Sequence, residues 1–184
     1  KGLDVVRSSF PPSFRKFMAE ILEDILNDID KVDLDQKILD FKEHMKTLPL
    51  IDVMFPIGVK NVKKFTVKGA EPFAPRMKGT PVHVKSALNY NDMLRHHKIR
   101  TIRGMINGEK IKWTYLKANP MSLDTMALKG YEDPDVLRKF VETYIDYNKV
   151  FKSAFANKLN DFYKAMKWGK VPENNNLGKF FAFG

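Results

Sequence analysis

Between residues 57 and 118 the chain carries 14 Lys and Arg against 3 Asp and Glu, and the residues that accompany those cations are of the types that hold phosphate. Lys60-Asn61-Val62-Lys63-Lys64-Phe65 mixes ammonium groups with an amide donor and an aromatic ring. Arg76 and Lys78 follow. Thr80-Pro81-Val82-His83-Val84-Lys85-Ser86 then sets hydroxyls and a lysine at a helix entrance, where free N–H groups attract anions. Such groups neutralise phosphates and fix register along a nucleic acid without reading its bases. No helix offers Asn or Arg at a base-reading spacing, so the expected contact is with the backbone of a duplex. The competing reading is a solvated cationic surface with no partner. An anionic membrane usually selects a basic amphipathic helix, and this region is not one.

Catalytic chemistry is harder to assemble. There is no glycine-rich phosphate loop and no Gly-x-Ser-x-Gly turn. His44, His83, His96 and His97 lack zinc spacing, and adjacent histidines point to different faces of a helix. Glu20, Glu23, Asp24, Asp28 and Asp30 fall at spacings of a solvated helix face rather than of a catalytic pair. The chain has no cysteine, which excludes disulfides and thiolate metal sites and fits a reducing compartment. No catalytic residue, metal ligand or cofactor is assigned to it.

A second kind of chemistry lies at the end of the sequence. Leu177-Gly178-Lys179-Phe180-Phe181-Ala182-Phe183-Gly184 follows a polar stretch, 169–176, that holds Pro172 and three consecutive asparagines. Terminal segments are usually polar, and exposing three phenylalanines and a leucine is unfavourable. Either this is a docking peptide on a flexible linker, or it folds back on its own core.

The elements that must position these groups are mainly helical. Phe14, Phe17, Met18, Ile21, Leu22, Ile25 and Leu26 recur at helical spacing, predicting a helix over 13–29 that opens at Pro11-Pro12. A second helix is expected from Asp35 to Thr47, with Ile38, Phe41, Met45 and Leu48 on one face. Residues 53–81, broken by glycines and prolines, read as loop and short strand. Pro81 opens a helix to about Leu94. Residues 110–116 alternate, with Ile111, Trp113 and Tyr115 on one face and Lys110, Lys112 and Thr114 on the other, as in a half-buried, half-basic strand. Asp133-Pro134 predicts a helix N-cap. Val136, Leu137, Phe140, Val141, Tyr144 and Ile145, then Phe151, Phe155, Leu159, Phe162 and Met166, carry helical spacing to Trp168. The fold class is therefore α+β, mainly α-helical, with a small β element.

The 184 residues suffice for one domain with a real core or two small ones. Net charge is +10, but residues 1–56 carry 8 Lys and Arg against 11 acids and residues 119–184 carry 10 against 8, so the excess sits in the middle. Such a localised field attracts a polyanion. No run approaches a membrane span, and the charged start has no signal-peptide core. Opening on Lys1, the chain is expected to be a trimmed or processed piece.

Taken in order, these segments resemble the thumb region of family B DNA polymerases from T-even-like bacteriophages. Lys1-Gly2-Leu3-Asp4-Val5-Val6-Arg7-Ser8-Ser9-Phe10-Pro11 is similar to the family's passage from palm to thumb. Asn61 to Phe65, Pro75-Arg76, Lys85, Tyr90-Asn91, Gly108-Glu109-Lys110, Asn119-Pro120 and Tyr147 resemble successive family motifs. Leu177, Phe180, Phe181 and Phe183 fit the family's C-terminal sliding-clamp peptide. The resemblance implies a thumb domain over 1–168 with a palm-to-thumb connection at 1–12, a linker at 169–176 and a clamp-binding peptide at 177–184. It implies contacts with primer–template duplex DNA through Lys60, Asn61, Lys63, Lys64, Phe65, Arg76, Lys78, Lys85, Tyr90, Lys110 and Lys112. The implied partners are that duplex, a palm-containing polymerase fragment and the sliding clamp, in the cytoplasm of an infected bacterium. Phe65 stands where the family has tyrosine, and Lys179 and Ala182 where it often has acids. The palm carboxylates that hold catalytic Mg2+ have no counterpart, so the chain is expected to be inactive alone. Two rivals share its basic face and docking tail: a stand-alone DNA-binding replication accessory, and a phage structural protein lying against packaged DNA.

Overall fold

A computed structural model describes residues 9–173. The chain divides into two compact units, one formed by residues 1–53 and 147–184, the other by 54–146. About 51% of the chain is helical and the rest includes a three-stranded antiparallel sheet, a mainly helical α+β fold.

The first unit contains no strand within the described residues. Helix α1, Pro12–Leu26, starts at the expected proline and buries Phe14, Phe17, Met18 and Ile21. Leu26, expected on the same stripe, is 83% exposed, because the helix ends there. Helix α2, Lys31–His44, begins four residues earlier than expected, since the Asp30 carboxylate caps it by accepting from the Val32 N–H at 2.8 Å. A 3-10 turn at Met45–Thr47 and the single turn α3, Leu50–Val53, follow. The core is aromatic: Phe41 stacks on Phe17 with ring centroids 3.8 Å apart, meets Phe14 edge-on at 5.3 Å and faces Phe155 at 6.2 Å.

The sheet of the second unit has the order β1 (Phe55–Gly58), β2 (Lys110–Tyr115), β3 (Thr125–Leu128), all antiparallel. Strand β2 forms as its alternation predicts, with two departures: Thr114, assigned to the basic face, is fully buried, and Tyr115, assigned to the apolar face, is half-buried. Strand β3 carries no alternation because all four of its residues are buried. Between β1 and β2 lie the one-turn helix α4, Val62–Phe65, and helix α5, Val82–His96, which packs chiefly against β3. Helix α6, Asp135–Tyr144, starts without a side-chain cap. Asp133 turns back instead, accepting from the N–H groups of Lys129 at 2.9 Å and Gly130 at 2.7 Å and so closing the turn after β3.

The chain then returns to the first unit as α7 (Tyr147–Phe151), a π-turn (Lys152–Ala156) and α8 (Asn157–Ala165). It leaves the helix three residues before Trp168, and Gly169 at φ 84° reverses its direction. The start of the expected linker is packed rather than free. Val171 is buried and donates its N–H to Asn160 Oδ1 at 2.9 Å, and the Lys42 ammonium donates to the Glu173 carbonyl. The clamp-peptide residues Leu177, Phe180, Phe181 and Phe183 lie outside the described residues.

Candidate nucleic-acid interface

All eleven expected DNA-contacting residues fall in the sheet unit, and the fold treats them differently. One group gathers where β1 and β2 end. Gly58 pairs with Lys110 in the register. Beyond it, Val59 donates to the Glu109 carbonyl and accepts from Gly108 N–H, both at 2.9 Å. The next residues are strapped to the same turn, because Val62 N–H donates to Asn107 Oδ1 at 2.6 Å. Asn61 sits between in the left-handed region at φ 63°, a conformation Asn tolerates, and this lets the chain turn sharply into α4. Lys60, Lys63, Lys64 and Lys110 are thus carried by two segments joined through backbone and amide bonds. All four are exposed and none pairs with an acid among the described residues. Lys64 lies 5.5 Å from the centre of the half-buried Phe65 ring, which holds it by cation–π attraction. Lys112 lies two residues along the strand, half-buried, opposite Pro56 and Leu128.

A second group is engaged within the fold. Arg76 donates to Asp92 Oδ2 at 2.5 Å and to Asn89 Oδ1 at 2.7 Å, and its side chain is only 17% exposed. Lys85 pairs with Asp124 at 2.8 Å, on a surface where water screens the attraction. Tyr90, expected at the contact surface, is fully buried in α5, so it shapes the unit from inside. Burial and the nearby Asp133 carboxylate push its phenol above the ordinary value of 10.0. Lys78 stands apart, exposed in a turn that Thr80 closes on the Met77 carbonyl.

The residue that organises this region was not singled out in the sequence. Asp92 is 3% exposed, and its carboxylate accepts from Arg76, from Arg95 and from the Phe73 N–H at 2.8 Å. Arg95 also donates to the Ala70 carbonyl at 2.9 Å. One buried carboxylate and the arginines it holds therefore fix the long loop between α4 and α5, which carries Lys68 and Lys78. An acid on the inner side of an amphipathic helix, in a segment otherwise rich in cations, is the signal that would have found it. Asn91 does similar work one residue earlier: it accepts from Met105 N–H at 2.6 Å and donates to the Met105 carbonyl at 3.0 Å. Gly104 has no room for a side chain there, since a Cβ would stand 2.7 Å from the Asn91 amide oxygen.

Both perturbed histidines are biased toward the neutral form. Burial holds His83 below the ordinary 6.5, and burial together with His96 does the same to His97. Beside the Asp92 cluster lies a cleft of about 250 Å³, walled by Phe65, Leu88, Arg76 and Arg95 among others. Among the described residues no cluster of three or more His, Asp or Glu is placed to hold a metal ion, and no helix is long and apolar enough to cross a membrane. No protein-family model matches the chain, and no curated protein matches it.

Proposed function

We propose that the chain is the thumb portion, as fragment or subunit, of a DNA-directed DNA polymerase of the phage family B type. In this reading it grips primer–template duplex through phosphates in the cytoplasm of an infected bacterium, while a separate palm fragment binds Mg2+ and performs the chemistry. The observation that carries the proposal is the unpaired set Lys60, Lys63, Lys64 and Lys110 on two segments tied together at one end of the β1–β2 pair. Unpaired ammonium groups on a rigid support lose little on meeting phosphate and release counterions when they do. The aromatic end of the chain, Leu177 to Phe183, enters the proposal on its sequence alone, as the tether to a sliding clamp.

The test is the salt dependence of duplex binding. With about four to six phosphates neutralised, log affinity falls against log salt with a slope of roughly −3.6 to −5.4, and random-sequence duplexes bind alike. An affinity indifferent to salt would sink the reading. Primer extension restored on mixing with a palm-containing fragment, and shortened products on clamp addition after Phe181→Ala with Phe183→Ala, test the two remaining partners.

A further inference from the structure

We infer that the cleft beside Asp92 takes one unpaired nucleotide, its phosphate held by Arg76, Arg95 and Lys68 and its base laid against Phe65 and Leu88. This is a second nucleic-acid site, and it stands whether or not the duplex grip does. Its chemistry follows from the charge left over. Arg76 and Arg95 hold opposite oxygens of one carboxylate, so two guanidinium charges share a single negative one. Lys68, exposed at the rim and without an acid partner among the described residues, adds another cation. The guanidiniums are fixed before any ligand arrives: Arg76 is also bonded to Asn89 and Arg95 to the Ala70 carbonyl. Planar cations held in this way suit phosphate, and being immobile already they lose little freedom on binding it.

The other walls argue for a base. Phe65 is half-buried and Leu88 buried, giving the cleft apolar surface beside its charged groups. Stacking on an aromatic side chain tolerates any base. Size narrows the ligand further. At about 250 Å³ the cleft falls just under the range of roughly 300–1,000 Å³ usual for small-molecule sites, which suits a single nucleotide and is too small for a dinucleotide cofactor. A base pair inside a duplex cannot enter it, whereas a frayed or overhanging nucleotide can.

Titration of the isotope-labelled full chain with dAMP, deoxyribose phosphate and inorganic phosphate tests this. Saturable shifts are expected at Val67 to Ala70 and at Asn91 to Arg95, with dAMP binding about tenfold more tightly than deoxyribose phosphate. Phe65→Leu removes that difference and Phe65→Tyr, which keeps the ring, retains it. Lys68→Gln weakens both ligands about fivefold. A duplex with a short single-stranded overhang binds more tightly than the blunt duplex, and Phe65→Leu abolishes the preference. Equal affinity for dAMP and deoxyribose phosphate, shifts elsewhere, or no saturation at millimolar dAMP overturns the inference. If dAMP fills the cleft while blunt duplex does not bind, the duplex reading alone fails. If duplex binds with a steep salt slope while dAMP leaves the cleft unshifted, this inference alone fails.

Discussion

The helical unit and the sheet unit solve the same problem with different materials. Residues 1–53 and 147–184 carry 15 Lys and Arg against 13 acids, whereas residues 54–146 carry 17 against 9. In the helical unit no acid among the described residues is fully buried, and several pair with lysines of the same unit, as in Lys37 with Asp24, Lys31 with Asp35 and Lys46 with Glu43. Its stability comes from a stack of phenylalanines. The sheet unit sends two of its acids inward instead. Asp92 is spent on holding a loop and Asp133 on closing a turn, so neither remains beside the exposed lysines. A count of charges therefore understates how positive the surface of the sheet unit is. A carboxylate that organises the fold does not also shield its neighbours.

The contrast can be broken most forcefully at Phe41. Phe41→Ala removes a ring that touches three others and should destabilise the helical unit by about 3–5 kcal/mol. The two tryptophans separate the readouts, because Trp168 packs edge-on against Tyr163 in that unit and Trp113 stacks on Phe55 in the sheet unit. In urea titrations the Trp168 transition should move to lower denaturant while the Trp113 transition holds. Equal shifts of both would show that the two units unfold together.

Asp92→Ala makes the complementary break. It leaves Arg76 part-buried without its carboxylate and frees the Phe73 N–H, and removing one partner of a buried pair costs about 3–5 kcal/mol. Since Arg95 is half exposed and keeps water, the loss should lie at the lower end, near about 3 kcal/mol, and appear in the Trp113 transition. Proteolytic cutting between residues 66 and 80 should rise in the same variant.

The surface lysines sharpen the comparison at smaller cost. Lys63→Gln with Lys64→Gln should leave both unfolding transitions in place and reduce the salt slope of duplex binding by roughly 1.8, about 0.9 for each lost phosphate contact. The same change at Lys37 in the helical unit, where the cation pairs with Asp24, should leave that slope unaltered.

The smallest effect is a pH dependence. Tyr163 in the helical unit is fully buried, and burial first, then its hydrogen bond to Asp35 at 2.6 Å, pushes its phenol above the ordinary 10.0. A phenol raised in the folded state favours folding fully below the unfolded value and loses that contribution as pH rises above it. The midpoint of the Trp168 transition should therefore fall as pH is raised beyond 10.0, and Tyr163→Phe should flatten that part of the curve.

Local pattern was enough for the long helices and the middle strand, but not for the single turns α3 and α4, which fall where no helix was expected. Phe14, Phe17, Met18 and Ile21 repeat at the helical period, and Ile111 and Trp113 alternate with Lys110 and Lys112, because each element buries one face and wets the other. Where that condition fails, the pattern falls silent. Strand β3 is buried on both faces, so Thr-Met-Ala-Leu has no period to read. Asp133 sits where an N-cap belongs, but the turn at Lys129 and Gly130 competes for the same carboxylate and wins it. The cluster of cations was likewise evident from composition, as was the absence of catalytic motifs. What the sequence by itself determined is what depends on neighbours along the chain: helix periodicity, proline boundaries, and the charge of the middle third. Only the tertiary structure decided which cations stay unpaired, because Arg76 lies in the long loop before α5 and Asp92 on the helix itself, and their pairing depends on how that loop folds back. The same closure brings Phe65 and Arg95 to one cleft, and no spacing along the chain encodes a contact of that kind.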